Sequence, residues 1–230
     1  MPTLLVFGAR NTGRALARDL SAKGWRVAAV ARSESTIEQL KDEVPQAVGL
    51  IANASNADEV ERVFEDVGKV DLVVNAITTN PSFGGPIHEA PPEALDAYDR
   101  ALLPGIFNVL RVGGRLLAGQ KQGTLVQLTG GSALRGNPGR GTWAAVAFAT
   151  RALVQSQAAE LRDQGVHVAL LVVDAIIESE KTAHWLEDAP PEKSASMEDV
   201  ARAIEYLYEQ SPRGWTHELQ LTPALERWVP

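Results

Sequence analysis

Thr3-Leu4-Leu5-Val6-Phe7-Gly8-Ala9-Arg10-Asn11-Thr12-Gly13-Arg14-Ala15-Leu16 is the stretch on which the reading of the fold turns. Leu4 to Phe7 is a short apolar run of strand-forming residues, and Gly8 ends it. Thr12 and Gly13 lead into Arg14-Ala15-Leu16-Ala17-Arg18-Asp19-Leu20, which has helical spacing and closes at Gly24. Strand, glycine turn and helix in that order begin a dinucleotide-binding fold. A turn residue without a side chain lets backbone N–H groups approach a pyrophosphate. The helix N-terminus then offers unpaired donors and partial positive charge to that anion. The usual turn has three glycines; here Gly8 and Gly13 remain, with Asn11 where the middle one would stand. Asn tolerates left-handed backbone better than most residues, so the turn can still form. Taken alone, the same pattern also describes a plain strand–helix connection.

Downstream the pattern repeats. Trp25–Ala31 reads as a second buried strand, Ser35–Lys41 as a helix stopping before Pro45, and Ala47–Ile51 as a third strand. Asp58–Val67 is an amphipathic helix with Val60, Val63, Phe64 and Val67 on one face. Val70–Ile77 is a fourth strand, and the Pro- and Gly-rich segment 78–92 a loop over its end. Glu93–Leu117 is helical, with Pro104 inside it predicting a kink or restart. Thr124–Thr129 is a fifth strand, 130–141 a loop with five glycines, and Thr142–Gln164 a long alanine-rich helix. Val166–Val173 is a sixth strand buried on both faces. Ser179–Ser196 is irregular or short helix, Asp199–Gln210 the last helix, and Glu218–Leu221 a short final strand. Strict alternation of strand and helix predicts a parallel sheet with right-handed crossovers: an α/β, Rossmann-type, doubly wound fold of about seven strands with helices on both faces. No linker or repeat interrupts residues 1–230, so a single dinucleotide-binding domain is expected.

Composition narrows the class. The chain of 230 residues is long enough for one sizeable core, and 45% hydrophobic with 22% charged residues is ordinary for a soluble globular protein. The absence of cysteine excludes disulfides, thiolate metal sites and a cysteine nucleophile, and fits a reducing compartment. A net charge of -7 disfavours nucleic acid as the main partner. No apolar run approaches the roughly 20 residues of a membrane span. The N-terminus lacks the basic-then-apolar pattern of a signal peptide, so the expected setting is cytoplasmic, away from membranes.

With these residues in view, the chain resembles the short-chain dehydrogenase/reductase family over essentially its whole length. The resemblance rests on the turn from Gly8 to Gly13 and on Asp71-Leu72-Val73-Val74-Asn75-Ala76. It rests also on the long helix ending Ala158-Ala159-Glu160-Leu161 and on Val166-His167-Val168 opening the sixth strand. The ending Trp215-Thr216-His217-Glu218-Leu219 is similar to that of an atypical subgroup. The resemblance implies a cofactor path. Gly8, Arg10, Asn11, Thr12 and Gly13 would line the pyrophosphate. Arg32 follows the second strand where NAD-preferring members carry an acid nearby, and a guanidinium there pairs bidentately with a 2′-phosphate, so NADP(H) is favoured over NAD(H). A solvated surface arginine is the plain alternative for Arg32. Asn53, with Ala54 beside it, matches the family's adenine-contacting aspartate. Asn75-Ala76-Ile77 matches the Asn-Ala-Gly after strand four, with Asn75 also suited to bridging strands by hydrogen bonds.

The catalytic groups that the resemblance calls for are missing. The family's reaction uses a tyrosine as proton donor, with a lysine four residues later lowering its pKa from about 10. A serine after the fifth strand holds the substrate oxygen, and an asparagine on the fourth helix holds a relay water. Aligned backwards from Ala158-Ala159-Glu160-Leu161, the tyrosine position falls on Trp143, the lysine on Ala147, the serine on Gly130 and the asparagine on Leu102. An indole N–H donates a hydrogen bond but is no usable acid near neutral pH. No tyrosine lies between Tyr98 and Tyr206 and no lysine between Lys121 and Lys181, so a register slip does not restore the pair.

Thr129 and Ser132 flank the missing serine and are candidate oxygen ligands. Arg140 is a candidate to polarise a carbonyl, Asp174 to face the nicotinamide end beside Ile176, and His184 to act as an acid. Each also reads as a loop residue making local hydrogen bonds. His217 reads as a structural contact near the last strand, and Trp143 as a cap on the pocket. Three functions stay open. The first is an NAD(P)-binding oxidoreductase of altered or lost activity on a small carbonyl or alcohol. The second is a non-catalytic nucleotide sensor or partner subunit, and the third a fold that has lost its cofactor. The family analogy also implies a homo-oligomer, with small residues such as Ala144, Ala145 and Ala152 permitting close helix approach.

Overall fold

The computed structural model of the chain describes residues 1–78, 84–180 and 182–226. Its strands are β1 (Thr3–Phe7), β2 (Arg26–Ala31), β3 (Val48–Ile51), β4 (Leu72–Asn75), β5 (Gly123–Gly130), β6 (Val166–Val173), β7 (Ile176–Ile177), β8 (Ser194–Ala195) and β9 (Glu218–Leu221). Its α-helices are α1 (Asn11–Ala22), α2 (Glu34–Glu43), α3 (Ala57–Val67), α4 (Glu93–Gln120), α5 (Gly141–Leu161) and α6 (Met197–Glu209). Seven strands form one sheet in the order β3-β2-β1-β4-β5-β6-β9, every pair parallel. The order reverses between β1 and β4, and there the carboxyl ends of neighbouring strands open a crevice.

Period-2 alternation on buried strands decides which helices lie on which face. Leu5 and Phe7 of β1 pack with Val60, Val63 and Phe64 of α3, Val109 of α4 and Val154 of α5. Leu4 and Val6 pack on the other side with Leu16 and Leu20 of α1, Leu40 of α2 and Ile204 of α6. All five residues of β1 and all eight of β6 are buried, as strands covered on both faces must be.

Three local expectations shift. First, α1 begins at Asn11 rather than Arg14, so Thr12 and Gly13 lie in its first turn. Second, Pro104 does not restart the helix: α4 runs unbroken from Glu93 to Gln120. One missing N–H costs less than exposing Leu102, Ile106, Val109 and Leu110, which α4 buries on both sides of the proline. Third, the segment 179–196 is an excursion closed by a second small sheet. β7 and β8 pair in parallel, and 3₁₀ turns at Ala183–Trp185 and Pro191–Lys193 lie between them. Of the expected loop 78–92, residues 79–83 lie outside the described residues; Ile87–Glu89 form a 3₁₀ turn.

Candidate functional site

The turn after β1 is held by backbone alone. Gly8 adopts φ +90°, and the N–H groups of Gly8 and Ala9 both donate to the Val30 carbonyl at 3.0 Å. A Cβ on Gly8 would lie 2.6 Å from the Ala76 oxygen, and one on Gly13 would strike the Gly8 oxygen. The two glycines therefore let α1, β1 and the end of β4 meet without side chains between them. No side chain caps α1, so the N–H groups of its first turn face outward without intrahelical acceptors. This cradle, which a Cβ would fill, fits a diphosphate. Arg10 before α1 and Arg32 after β2 are both exposed, and neither forms an ion pair among the described residues. Arg14 and Arg18, one and two turns on, are tied to Glu43.

Further along the crevice, the Asn53 side chain accepts from Ser55 N–H at 3.1 Å, making a local turn. Asn108, which the sequence reading passed over, is buried on α4 and donates to the Ala54 carbonyl at 2.9 Å. It pins that turn against α4. Asn75 is fully buried. Its Nδ2 donates to Gln127 Oε1 at 2.8 Å, and its Oδ1 accepts from Ile77 N–H at 3.3 Å. Gln127 in turn donates to the Leu128 carbonyl at 2.8 Å. The strand-bridging role expected of Asn75 is thus present, shared with Gln127.

At the far end a cavity of about 220 Å³ is lined by residues from six segments. Leu102 of α4, Gly130 of β5, and Trp143 and Ala147 of α5 all border it. These are the four positions onto which the sequence reading places the family's tetrad, brought together from separate elements. Thr12, Ala76, Ile77, Thr129 and Thr150 border it too, and Ile177 closes one side. Thr150 was not anticipated; its hydroxyl donates to the Val146 carbonyl one turn back at 2.9 Å and so stays within its own helix. Among the described residues, none of the lining side chains is titratable. Ile77, where the family carries glycine, points its Cδ1 towards Gly105 of α4, where a Cβ would lie only 2.9 Å away. The loop after β4 reaches the head of α5: Gly85 N–H donates to the Gly139 carbonyl at 3.1 Å, and Ile87 packs over Gly141.

Three expected pocket residues lie elsewhere. Asp174, expected to face the cleft, turns away and accepts two bonds from Arg135 at 2.7 and 2.8 Å, with a third from Gln220 at 3.3 Å. The carboxylate occupies the space a Cβ of Gly131 would need, and the pairing holds the Arg135 guanidinium more firmly protonated. Ser132 is buried in the 3₁₀ turn after β5 and does not border the cavity. Ile176 does not border it either; alternation along β7 presents Ile177 instead. Arg140 precedes α5, and His184 is exposed in its 3₁₀ turn beside Trp185. His217 lies near Val168 and Glu218 at the opposite end of the sheet, as a structural contact would. Among the described residues no group of acidic or histidine side chains is arranged to hold a metal ion. No described helix is long and apolar enough to cross a membrane.

Comparison with known proteins agrees with this architecture. The model of the family described as Enoyl-(Acyl carrier protein) reductase matches residues 8–218. The 3-oxoacyl-[acyl-carrier-protein] reductase FabG of Staphylococcus epidermidis is 25% identical over 222 residues, covering 88% of this chain and 89% of its own. A metagenomic short-chain oxidoreductase in complex with NADP superposes with a TM-score of 0.79 at 23% identity, covering 98% of each chain. An alcohol dehydrogenase from Thermococcus sibiricus complexed with 5-hydroxy-NADP gives 0.81 at 23% identity over 100% of both chains. The chain belongs to the short-chain dehydrogenase/reductase family of oxidoreductases.

Proposed function

We propose that this short-chain dehydrogenase/reductase binds a nicotinamide dinucleotide, NADP(H) in preference to NAD(H), and that its reductase chemistry is altered or lost. One observation carries the reading. The four positions where the family places its proton-transfer groups meet in one cavity, and in this chain Leu102, Gly130, Trp143 and Ala147 give that cavity no titratable side chain.

Gly8, Arg10, Asn11, Thr12 and Gly13 would hold the diphosphate, with Arg32 exposed to receive a 2′-phosphate. Asn53 and Ala54 would flank the adenine. Asn75, Ala76 and Ile77 would support the nicotinamide end, Asn75 through the Gln127 bridge that fixes this backbone. When bound, the dinucleotide supplies hydride exchange at its nicotinamide ring. This chain's residues would position a small carbonyl or alcohol between Thr129, Gly130, Trp143 and Ile177. Proton delivery falls to water, because the Trp143 N–H holds its proton and the Thr150 hydroxyl is committed to Val146. The same apolar lining favours a second reading, a nucleotide-binding sensor or partner subunit without turnover. NADP-bound relatives of the same fold support the cofactor assignment. The cysteine-free composition fits a reducing, cytoplasmic setting. Phe107 on α4 and Phe148 on α5, both more than two-fifths exposed, suit a homo-oligomer.

Titrating the purified protein with NADPH and NADH, read by calorimetry, tests the binding. Micromolar affinity with NADPH preferred supports it, and no heat with either refutes it. Screening aldehydes, ketones and quinones for NADPH consumption separates slow enzyme from sensor. Trp143→Tyr with Ala147→Lys and Gly130→Ser should raise any background rate; an unchanged rate favours the sensor.

A further inference from the structure

The cavity's lining says more about its occupant than about the reaction. Its apolar lining includes Leu102, Ile106, Trp143, Val146 and Ala147 from α4 and α5, with Leu128 and Ile177. The described polar side chains on its border are Thr12, Thr78, Thr129 and Thr150, all neutral, besides the indole N–H of Trp143. The segment leaving the cavity wall after Ile177 is acidic. Residues 178–193 carry Glu178, Glu180, Glu187, Asp188 and Glu192 against two lysines, and these five acids are exposed. The Nζ of one of those lysines, Lys193, donates to the Leu225 carbonyl at 2.7 Å. On the facing loop, Arg140 is exposed at the head of α5.

We infer that the cavity selects a free, uncharged ring compound and rejects carboxylates, phosphate esters and ligands borne on an anionic carrier. An ion entering this lining would shed water with no opposite charge among the described lining residues to meet it, which disfavours it against a neutral ligand. The acidic excursion adds repulsion for an approaching anion. A neutral ring loses nothing of that kind. It gains apolar contact and can lie against the Trp143 indole. The inference rests on the proposed function in taking this cavity as the ligand end of the cofactor cleft. It runs against a carrier-borne substrate of the kind named for the staphylococcal relative.

The test uses two probes of one shape and different charge, 2-naphthalenemethanol and 2-naphthoate, titrated calorimetrically with and without saturating NADPH. The alcohol should bind at least about tenfold more tightly than the carboxylate, the least that an uncompensated buried charge implies. Leu102→Lys places a cation on the wall and should narrow or reverse the ratio. Ala147→Lys does the same from α5 if the first variant does not fold. Equal affinities, a preference for the carboxylate, or a ratio indifferent to both lysine variants would overturn the inference. A sample that discriminates the probes yet ignores NADPH would refute the cofactor assignment and leave this selectivity standing. One that binds NADPH without discriminating would do the reverse.

Discussion

Gly8→Ala should damage both the fold and the cofactor turn, and Gly24→Ala shows why. Both glycines have positive φ, +90° and +82°, so an alanine at either is strained. The left-handed conformation costs an L-residue roughly 1–2 kcal/mol, offset in part by about 0.4–1 kcal/mol from a stiffer unfolded chain. Gly24 stops there, because nothing lies within 4 Å of its added Cβ. Gly8 adds a collision with backbone: its Cβ would sit 2.6 Å from the Ala76 oxygen and 2.9 Å from the Ile77 nitrogen. β1 and β4 are hydrogen-bonded neighbours, so relief requires moving the sheet or the 75–77 segment, an overpacking cost of about 1–3 kcal/mol. Urea denaturation should therefore place Gly8→Ala about 1–3 kcal/mol below Gly24→Ala. NADPH titration should find Gly24→Ala like the parent and Gly8→Ala weakened about tenfold or more, since a shift of 1.4 kcal/mol at the turn already gives that. Equal midpoints and equal affinities for the two variants would refute the close-approach argument, and with it the reason for a glycine at position 8.

Other outcomes follow from the same geometry. Arg32→Ala should weaken NADPH roughly 10- to 100-fold, as losing a charge-assisted contact does, and leave NADH within about twofold; equal losses for both would refute the 2′-phosphate role. Asp174→Ala should destabilise by about 1–3 kcal/mol by removing the two charge-assisted bonds from Arg135, while Gly131→Ala should be destabilising in the parent and nearly neutral once Asp174 is removed, since the carboxylate fills the Cβ space. Additive losses in that double-mutant cycle would sink the explanation of Gly131. Burial of His167 holds its imidazole below the usual range, with Nε2 on the Thr216 carbonyl at 2.9 Å, Trp215 stacked on it, and His217 and Arg162 nearby. The native state then takes up that proton later than the unfolded chain, so stability is full above about pH 6.5 and falls as pH drops below it, by at most about 1.4 kcal/mol per unit from this group. Urea midpoints from pH 7.5 to 5.5 should show the fall in the parent and less of it in His167→Gln. The Glu218 carboxyl, held below its usual range first by Arg151, contributes in a separate window: its stabilisation is present above about pH 4.5 and is lost as pH falls below that.

Much of the fold was legible because it is written in local periods. Buried parallel strands such as β1, β4 and β6 read as continuous apolar runs, and they lie where those runs predict them. The Gly8 turn was legible for a related reason, since glycine marks the one place where three backbones meet. The errors fall where a tertiary contact overrides a local signal. Pro104 predicts a kink or restart, yet α4 buries apolar residues before and after it and runs on without a restart. The β7–β8 pair is two residues per strand, too short for any period. Asp174 looked like a cleft residue because it follows β6, and only its distance to Arg135, 39 positions earlier, shows where its charge is spent.

The amino-acid sequence alone determined the α/β alternation, the glycine-marked turn and the absence of a tyrosine–lysine pair, because each is a matter of residue identity and short-range spacing. The tertiary structure alone decided that Leu102, Gly130, Trp143 and Ala147 share one uncharged cavity, that Asn75 and Asn108 fasten its approaches, and that Ile177 rather than Ile176 closes it. Those are facts about which side chains meet across a parallel sheet. Its crossovers bring together residues dozens of positions apart, and no window along the chain contains them.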